Sequence, residues 1–256
     1  MKYILFLSVV LFTLSSNANN AFYLTLSNQI ARKQDLQIIT NNSANVNTIG
    51  YEEDSAIFKN LDVPESNKKD NSFVFLRNTY KSGNPGALKY TNNPLDVAII
   101  GDNQYFKIMT REGVRYSLAG NMIRSAEGIL VNSLGMPYLS QGNELLEIPN
   151  DATNIQINRD GIIYADGEEQ ARIGVVQIED KNSLIKEGDS LYYSPEGEIA
   201  IDEYTVLSGA LRVSNVNSSR IVSQTIEAQR SFSTTNSLLE NINETEKQSV
   251  SRLLRP

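Results

Sequence analysis

The sequence predicts an α+β protein in which N- and C-terminal helices pair into a helical stalk and a β-rich domain lies between them. Three observations predict it. Each end of the 256-residue chain has a stretch free of Gly and Pro with apolar residues at helical spacing, and the middle is broken into short apolar runs separated by glycine-containing turns. Five segments are expected: a signal-like apolar extension over 1–18, a helix with its Asn-rich end over 19–50, an extended connector over 51–93, a β-rich domain over 94–208 and a helix over 209–256.

At the start, Met1-Lys2-Tyr3 precedes an apolar run from Ile4 to Leu14 interrupted only by Ser8 and Thr13, followed by Ser15-Ser16-Asn17-Ala18. One positive charge, a short apolar core and small residues at Ser16 and Ala18 have the shape of a secretory signal. The run is shorter than the ~20 apolar residues a membrane-spanning helix needs. The bland alternative is an N-terminal extension or a misassigned start.

From Ala21 to Thr40 the apolar positions Phe22, Leu26, Ile30, Leu36 and Ile39 recur at helical spacing. The pattern ends in Asn41-Asn42-Ser43-Ala44-Asn45-Val46-Asn47-Thr48-Ile49-Gly50. Asn side chains compete with the backbone for hydrogen bonds, so an ordered loop is expected there. Residues 51–93 show no sustained period; they contain Pro64, the turn Asn84-Pro85-Gly86 and one short strand candidate, Phe73-Val74-Phe75-Leu76.

Strands and tight turns follow. Val97–Ile100 precedes Gly101-Asp102, Tyr105–Met109 precedes Glu112-Gly113, Ile129–Val131 follows Gly128, Ile155–Ile157 precedes Asp160-Gly161, and Ile162–Tyr164 precedes Asp166-Gly167. Ile173–Ile178 completes the series. After Gly209 the period returns to that of a helix. Val213–Leu254 lacks Gly and Pro and carries an intermittent apolar stripe that includes Val216, Val222, Ile226, Phe232 and Leu239. A long, weakly amphipathic helix cannot cover its own apolar face, so it needs a partner helix.

Composition narrows the chemistry. The chain has no His, no Cys and no Trp. Thiolate nucleophiles, disulfides, imidazole metal sites and Ser-His-Asp triads are therefore excluded. A net charge of −7 with scattered basic residues argues against nucleic-acid binding, which draws on clustered Lys and Arg. Gln156, Asn158, Asp160 and Gly161 echo a calcium loop, but Gln holds the first ligand position and Gly167 stands where a bidentate Glu is required, so a turn is expected. Paired carboxylates at Glu52-Glu53-Asp54 and Glu168-Glu169 suit a glycosidase in principle, yet no residues are left over for a wall-cutting domain. No catalytic residue, cofactor, metal or small-molecule substrate is expected.

Three segments carry a resemblance. Asn41-Asn42-Ser43-Ala44-Asn45-Val46-Asn47-Thr48-Ile49-Gly50-Tyr51 resembles the run that ends the first helix of flagellar rod and hook axial proteins. Pro94-Leu95-Asp96-Val97-Ala98-Ile99-Ile100-Gly101-Asp102, followed by Tyr105-Phe106, looks like that family's Pro-Leu-Asp strand and turn; Asn103 and Gln104 stand where the family usually has a glycine and an aromatic residue. Arg115–Met122 and Glu127-Gly128-Ile129-Leu130-Val131 continue the match. Gly209-Ala210-Leu211-Arg212-Val213-Ser214-Asn215-Val216-Asn217 and Ile226-Glu227-Ala228-Gln229-Arg230-Ser231-Phe232 are similar to its C-terminal motif. Within the family, the length and the helix start Leu26–Gln34 look most like a proximal rod member, with a distal rod member a close competitor.

The resemblance implies a non-enzymatic subunit of the basal-body rod, exported through the flagellar apparatus and polymerising with copies of itself and with other rod proteins. It implies an assembly interface at Leu26, Ile30, Leu36 and Ile39 on the first helix and at Val222, Ile226, Gln229, Arg230, Phe232 and Leu239 on the last. Asn41, Asn42, Asn45 and Asn47 are expected in the same interface, where they would order the loop after the first helix. Members of this family lack a cleavable signal, so the apolar opening departs from the pattern. A Sec-secreted, β-rich, adhesin-like protein is the rival expectation.

Overall fold

A computed structural model describes the backbone of residues 2–65, 68–81 and 83–253, and the side chains of all of these except 2–21, 62–65, 68–71, 246, 249, 250 and 253. The signal-like extension over 1–18 therefore lies outside the described side chains. Two helices and a β-rich middle make up the chain, and it divides into two compact units.

The first unit comprises residues 1–43, 54–80 and 218–256. It holds α1 (Lys2–Ala44), the strands β1 (Asp54–Glu65) and β2 (Lys68–Lys81), and α2 (Ser218–Leu253). Neither helical segment contains a Gly or Pro to break it. Among the described residues no helix is long and apolar enough to cross a membrane. On α2, Ile221, Ala228 and Leu239 are buried, and Thr225, Phe232 and Asn236 between them are half-buried, at the three-to-four-residue spacing of one helical face. Among the described side chains of α1 the buried positions are Ala31, Ile39 and Asn42.

Many of the positions near this face are hydroxyls, which the helix satisfies internally. Thr225 donates to the Ile221 carbonyl at 2.7 Å, and Thr235 to that of Ser231 at 2.9 Å. Between the helices, the Gln29 amide donates to Asn236 Oδ1 at 2.8 Å. Burial holds the Asp35 carboxyl above its usual range, with Arg32 pulling it down and Glu227 pushing it up.

The segment after Gly50, expected as a connector with one strand at Phe73–Leu76, contains two long strands, β1 and β2, paired in a two-stranded sheet. Phe73–Leu76 in β2 is the longest continuous apolar run; elsewhere in the two strands shorter apolar stretches are interleaved with Lys, Asn, Asp and Arg, which hides the strands' length. They are 12 and 14 residues long.

The second unit comprises residues 44–53 and 81–217. Its centre is an antiparallel six-stranded sheet, in the order Ile185–Gly188, Leu191–Tyr193, Gly113–Ser117, Gln104–Thr110, Val175–Gln177, Ile199–Ala200. A three-stranded sheet pairs Ile162–Ala165 with Glu168–Arg172 on one side and with Ile155–Ile157 on the other. Alternation along Gln104–Thr110 explains the layering. Phe106 and Ile108 enter the main core with Val97, Leu130, Tyr138 and Ile163. Tyr105 belongs to a second cluster with Tyr116, Leu118 and Tyr192. The Phe106 and Tyr138 rings meet edge to face, 6.0 Å apart, and the Tyr138 hydroxyl donates to the Ala119 carbonyl.

Lys107 is also buried in this unit, a costly placement unless the charge is satisfied. Its ammonium donates to the Gln141 carbonyl at 3.2 Å and to Asn143 Oδ1 at 2.5 Å, and lies 4.0 Å from Glu198. Burial holds its pKa below the usual range, and Glu198 opposes that shift.

Candidate assembly surfaces

The Asn-rich run forms hydrogen-bonded structure in each of the two units. In the helical unit, buried Asn42 reads the backbone of Asp54 in both directions: its amide donates to the Asp54 carbonyl at 2.7 Å and its side-chain oxygen accepts the Asp54 N–H at 3.1 Å. One side chain thereby ties the end of α1 to the start of β1.

In the β-rich unit, residues 45–53 form a backbone clasp. Thr48 donates its hydroxyl to Asn45 Oδ1 at 3.0 Å, and the Gly50 N–H donates to the Arg212 carbonyl at 2.8 Å. Gly50 has φ +68°, and a Cβ there would sit 2.4 Å from the Ala119 nitrogen, so only glycine fits. The Lys186 ammonium lies 3.9 Å from the Tyr51 ring centre and donates to the Glu52 carbonyl. The Tyr105 hydroxyl donates to Glu52 at 3.1 Å; burial first, and that carboxylate second, push its pKa far above the usual range.

Two residues that sequence reasoning did not select complete the clasp. Asn215 accepts the Glu53 N–H on its side-chain oxygen at 2.6 Å and donates its own N–H to the Tyr51 carbonyl. Ser190, in the left-handed region at φ +58°, donates its hydroxyl to the Ile49 carbonyl and accepts the Ser117 hydroxyl on its own carbonyl. Asn215 lies inside the C-terminal motif quoted above, so a signal existed for it. None existed for Ser190, whose partner is 141 residues away.

The helical positions expected at the interface separate into two sets. Ile39 and Leu239 are buried, and Leu26, Leu36 and Phe232 are half-buried. Ile30, Val222 and Ile226 are 52%, 57% and 47% exposed, and Gln229 and Arg230 are exposed beside them. Asn41 and Asn47 are exposed and Asn45 is half-buried. Tyr23 and Leu238, not selected from the sequence, are exposed large apolars on the same helices. Val222, Ile226 and Arg230 fall at i, i+4 and i+8, a single line along α2.

The calcium-like stretch is a hairpin turn between Ile155–Ile157 and Ile162–Ala165: the Gly161 N–H donates to the Asn158 carbonyl at 3.0 Å. Among the described residues no cluster of three or more Asp or Glu side chains is placed to hold a metal ion.

Residues 98–165 match the family model described as the flagellar hook protein FlgE/F/G D1 domain. Over 241 residues the chain is 28% identical to the flagellar basal-body rod protein FlgF of Caulobacter vibrioides, covering 92% of this chain and 98% of that protein. It is 28% identical to the rod protein FlgF of Rhizobium meliloti, covering 85% and 90%, and 29% identical to the rod protein FlgG of Bacillus subtilis, covering 80% and 88%. The adhesin-like alternative has no counterpart among these relatives. Over most of its length the chain is therefore similar to flagellar basal-body rod proteins, FlgF among them, and a stretch of its β-rich unit is similar to the FlgE/F/G D1 domain.

Proposed function

We propose that this chain is a structural subunit of the flagellar basal-body rod whose terminal helices form a stalk and polymerise with those of neighbouring subunits. The observation that carries the polymerisation is the exposed apolar set Ile30, Val222 and Ile226, on helices whose other face already shelters Ala31, Ile39, Ile221, Ala228 and Leu239. Covering apolar surface between copies releases ~25 cal/mol per Å². A head-to-tail contact that does not close then propagates into a helical tube. Arg230 ends the line and Gln229 lies beside it, and both supply polar inter-subunit bonds. Export through the flagellar apparatus and contact with other rod proteins follow from this role, which involves no catalytic step.

Sedimentation of the purified full-length chain tests the reading. Ile226→Asp and Val222→Asp are expected to leave the circular dichroism spectrum and the monomer's stability within about 0.5 kcal/mol, as for other surface sites, while abolishing sedimentable polymer. Polymer formation unchanged by both substitutions would show that this stripe is not the interface. Recovery of the chain in purified hook–basal-body particles from the source organism tests the location independently.

A further inference from the structure

The helical interface leaves one element of the first unit without a role. A two-stranded ribbon is marginal in water unless a third strand or a packed face supports it. On β1, Ile57, Lys59 and Leu61 alternate and therefore point to one side of the ribbon. All three are exposed, Ile57 at 41% and Leu61 at 53%. The presented face is apolar, basic, apolar over ~13 Å of strand.

The second unit carries a surface of the opposite kind. A groove of about 700 Å³ opens between the turn after Gln104–Thr110, the turn at 134–137 and the turn at 187–191. Met109 and Leu134 line it with large exposed apolar side chains, the latter 50% exposed. Its rim carries Glu112, Glu187 and Asp189 against Arg111. Arg115 holds Glu187 at 2.5 Å and reaches Glu112 at 3.2 Å, but the Glu112 side chain remains 79% exposed. Asp189 sits at φ +49° in the two-residue turn that joins Ile185–Gly188 to Leu191–Tyr193, fixed at the groove's edge.

We propose that this groove receives the Ile57-Lys59-Leu61 face of β1 from a second copy of the chain. The inference rests on the assembly reading above and adds a contact to it. Charge selects the occupant. The sequence of the unit that contains β1 carries 12 Lys and Arg against 9 Asp and Glu, whereas that of the unit that contains the groove carries 11 against 21. Ile57 and Leu61 cover Met109 and Leu134, and the Lys59 ammonium lies against Glu112 and Asp189. Ribbon and groove are different surfaces, so the contact is head-to-tail and each copy offers one of each to its neighbours.

The chain has no cysteine, which allows a direct test. Full-length Leu61→Cys and Leu134→Cys proteins, both altered at exposed positions, are mixed, assembled and mildly oxidised. A disulfide joining the two chains is expected, well above any linkage in either variant alone. Lys59→Glu is expected to raise the concentration needed for polymer roughly three- to five-fold, the worth of one screened ion pair. Polymer of normal mass with no mixed disulfide overturns the groove contact and leaves helical assembly standing. Linkage only when both cysteines share one chain overturns the second copy as occupant. Absence of polymer from the unsubstituted chain overturns the assembly reading and this contact with it.

Discussion

The two units of this chain bury apolar surface to very different degrees. Among the described residues, the twelve largest fully buried side chains, Tyr105, Tyr138, Tyr192 and Phe106 among them, all lie in the β-rich unit. Among the described residues, the helical unit buries only Ala31, Ile39, Ile221, Ala228 and Leu239 as apolar side chains, and it exposes Tyr23, Ile30, Val222, Ile226 and Leu238. A core of interlocked aromatics is complete within one copy, because each ring finds partners from several strands. A helical face is a stripe, and it is covered only when another element packs along it. The difference teaches that one unit completes its core within a single copy, whereas the other leaves apolar side chains at its surface, as the proposed helical assembly requires.

The largest expected effect attacks the complete core. Phe106→Ala removes a ring that packs edge to face on Tyr138 and is expected to cost about 3–5 kcal/mol, read as a lower denaturation midpoint of the β-rich unit. An equal loss in the helical unit's own transition would break the comparison. Gly50→Ala comes next. It forces a Cβ against Ala119 at a left-handed φ and is expected to cost about 1–3 kcal/mol, read as faster amide hydrogen exchange over residues 45–53.

Asn42→Ala sharpens the comparison from the helical side. It leaves the Asp54 N–H and carbonyl without their side-chain partner and is expected to cost about 1–2 kcal/mol. The readout is exchange at the Asp54 amide, with the β-rich unit's denaturation midpoint unchanged. The smallest effect is Asp35→Asn. Burial raises the Asp35 pKa in the folded chain, so the ionised carboxylate opposes folding above that raised value, and the penalty fades as pH falls towards the ordinary Asp range. At neutral pH the substitution is expected to stabilise the helical unit by less than about 1 kcal/mol, given the site's partial exposure to solvent. The gain should vanish near pH 3, as thermal melts at the two pH values would show.

Part of this was legible in the residues. The helices declare themselves by period and by the absence of Gly and Pro, and the strands Val97–Ile99 and Gln104–Thr110 by short apolar runs ahead of turns. Asn42 and Gly50 were marked by the motif that contains them. The pairing of β1 with β2 was not legible, because polar residues interrupt their apolar positions and long-range pairing leaves no local trace. Ser190 was invisible for the same reason. Nor could spacing tell Ile39 from Ile30, since both fit the helical period and only the surroundings decide which is covered.

By itself, then, the sequence determined a helix at each end with strands between, the chemistry the chain lacks and the motifs that resemble those of flagellar rod proteins, all properties of neighbouring residues. Tertiary structure alone decided which apolar positions are spent inside the subunit and which remain outside. It also decided that the Asn-rich run reads the Asp54 backbone and clasps onto Arg212, Asn215 and Ser190. The physical reason is that burial and hydrogen-bond partnership are set by groups far apart in the chain, and a local pattern records only one partner of each pair.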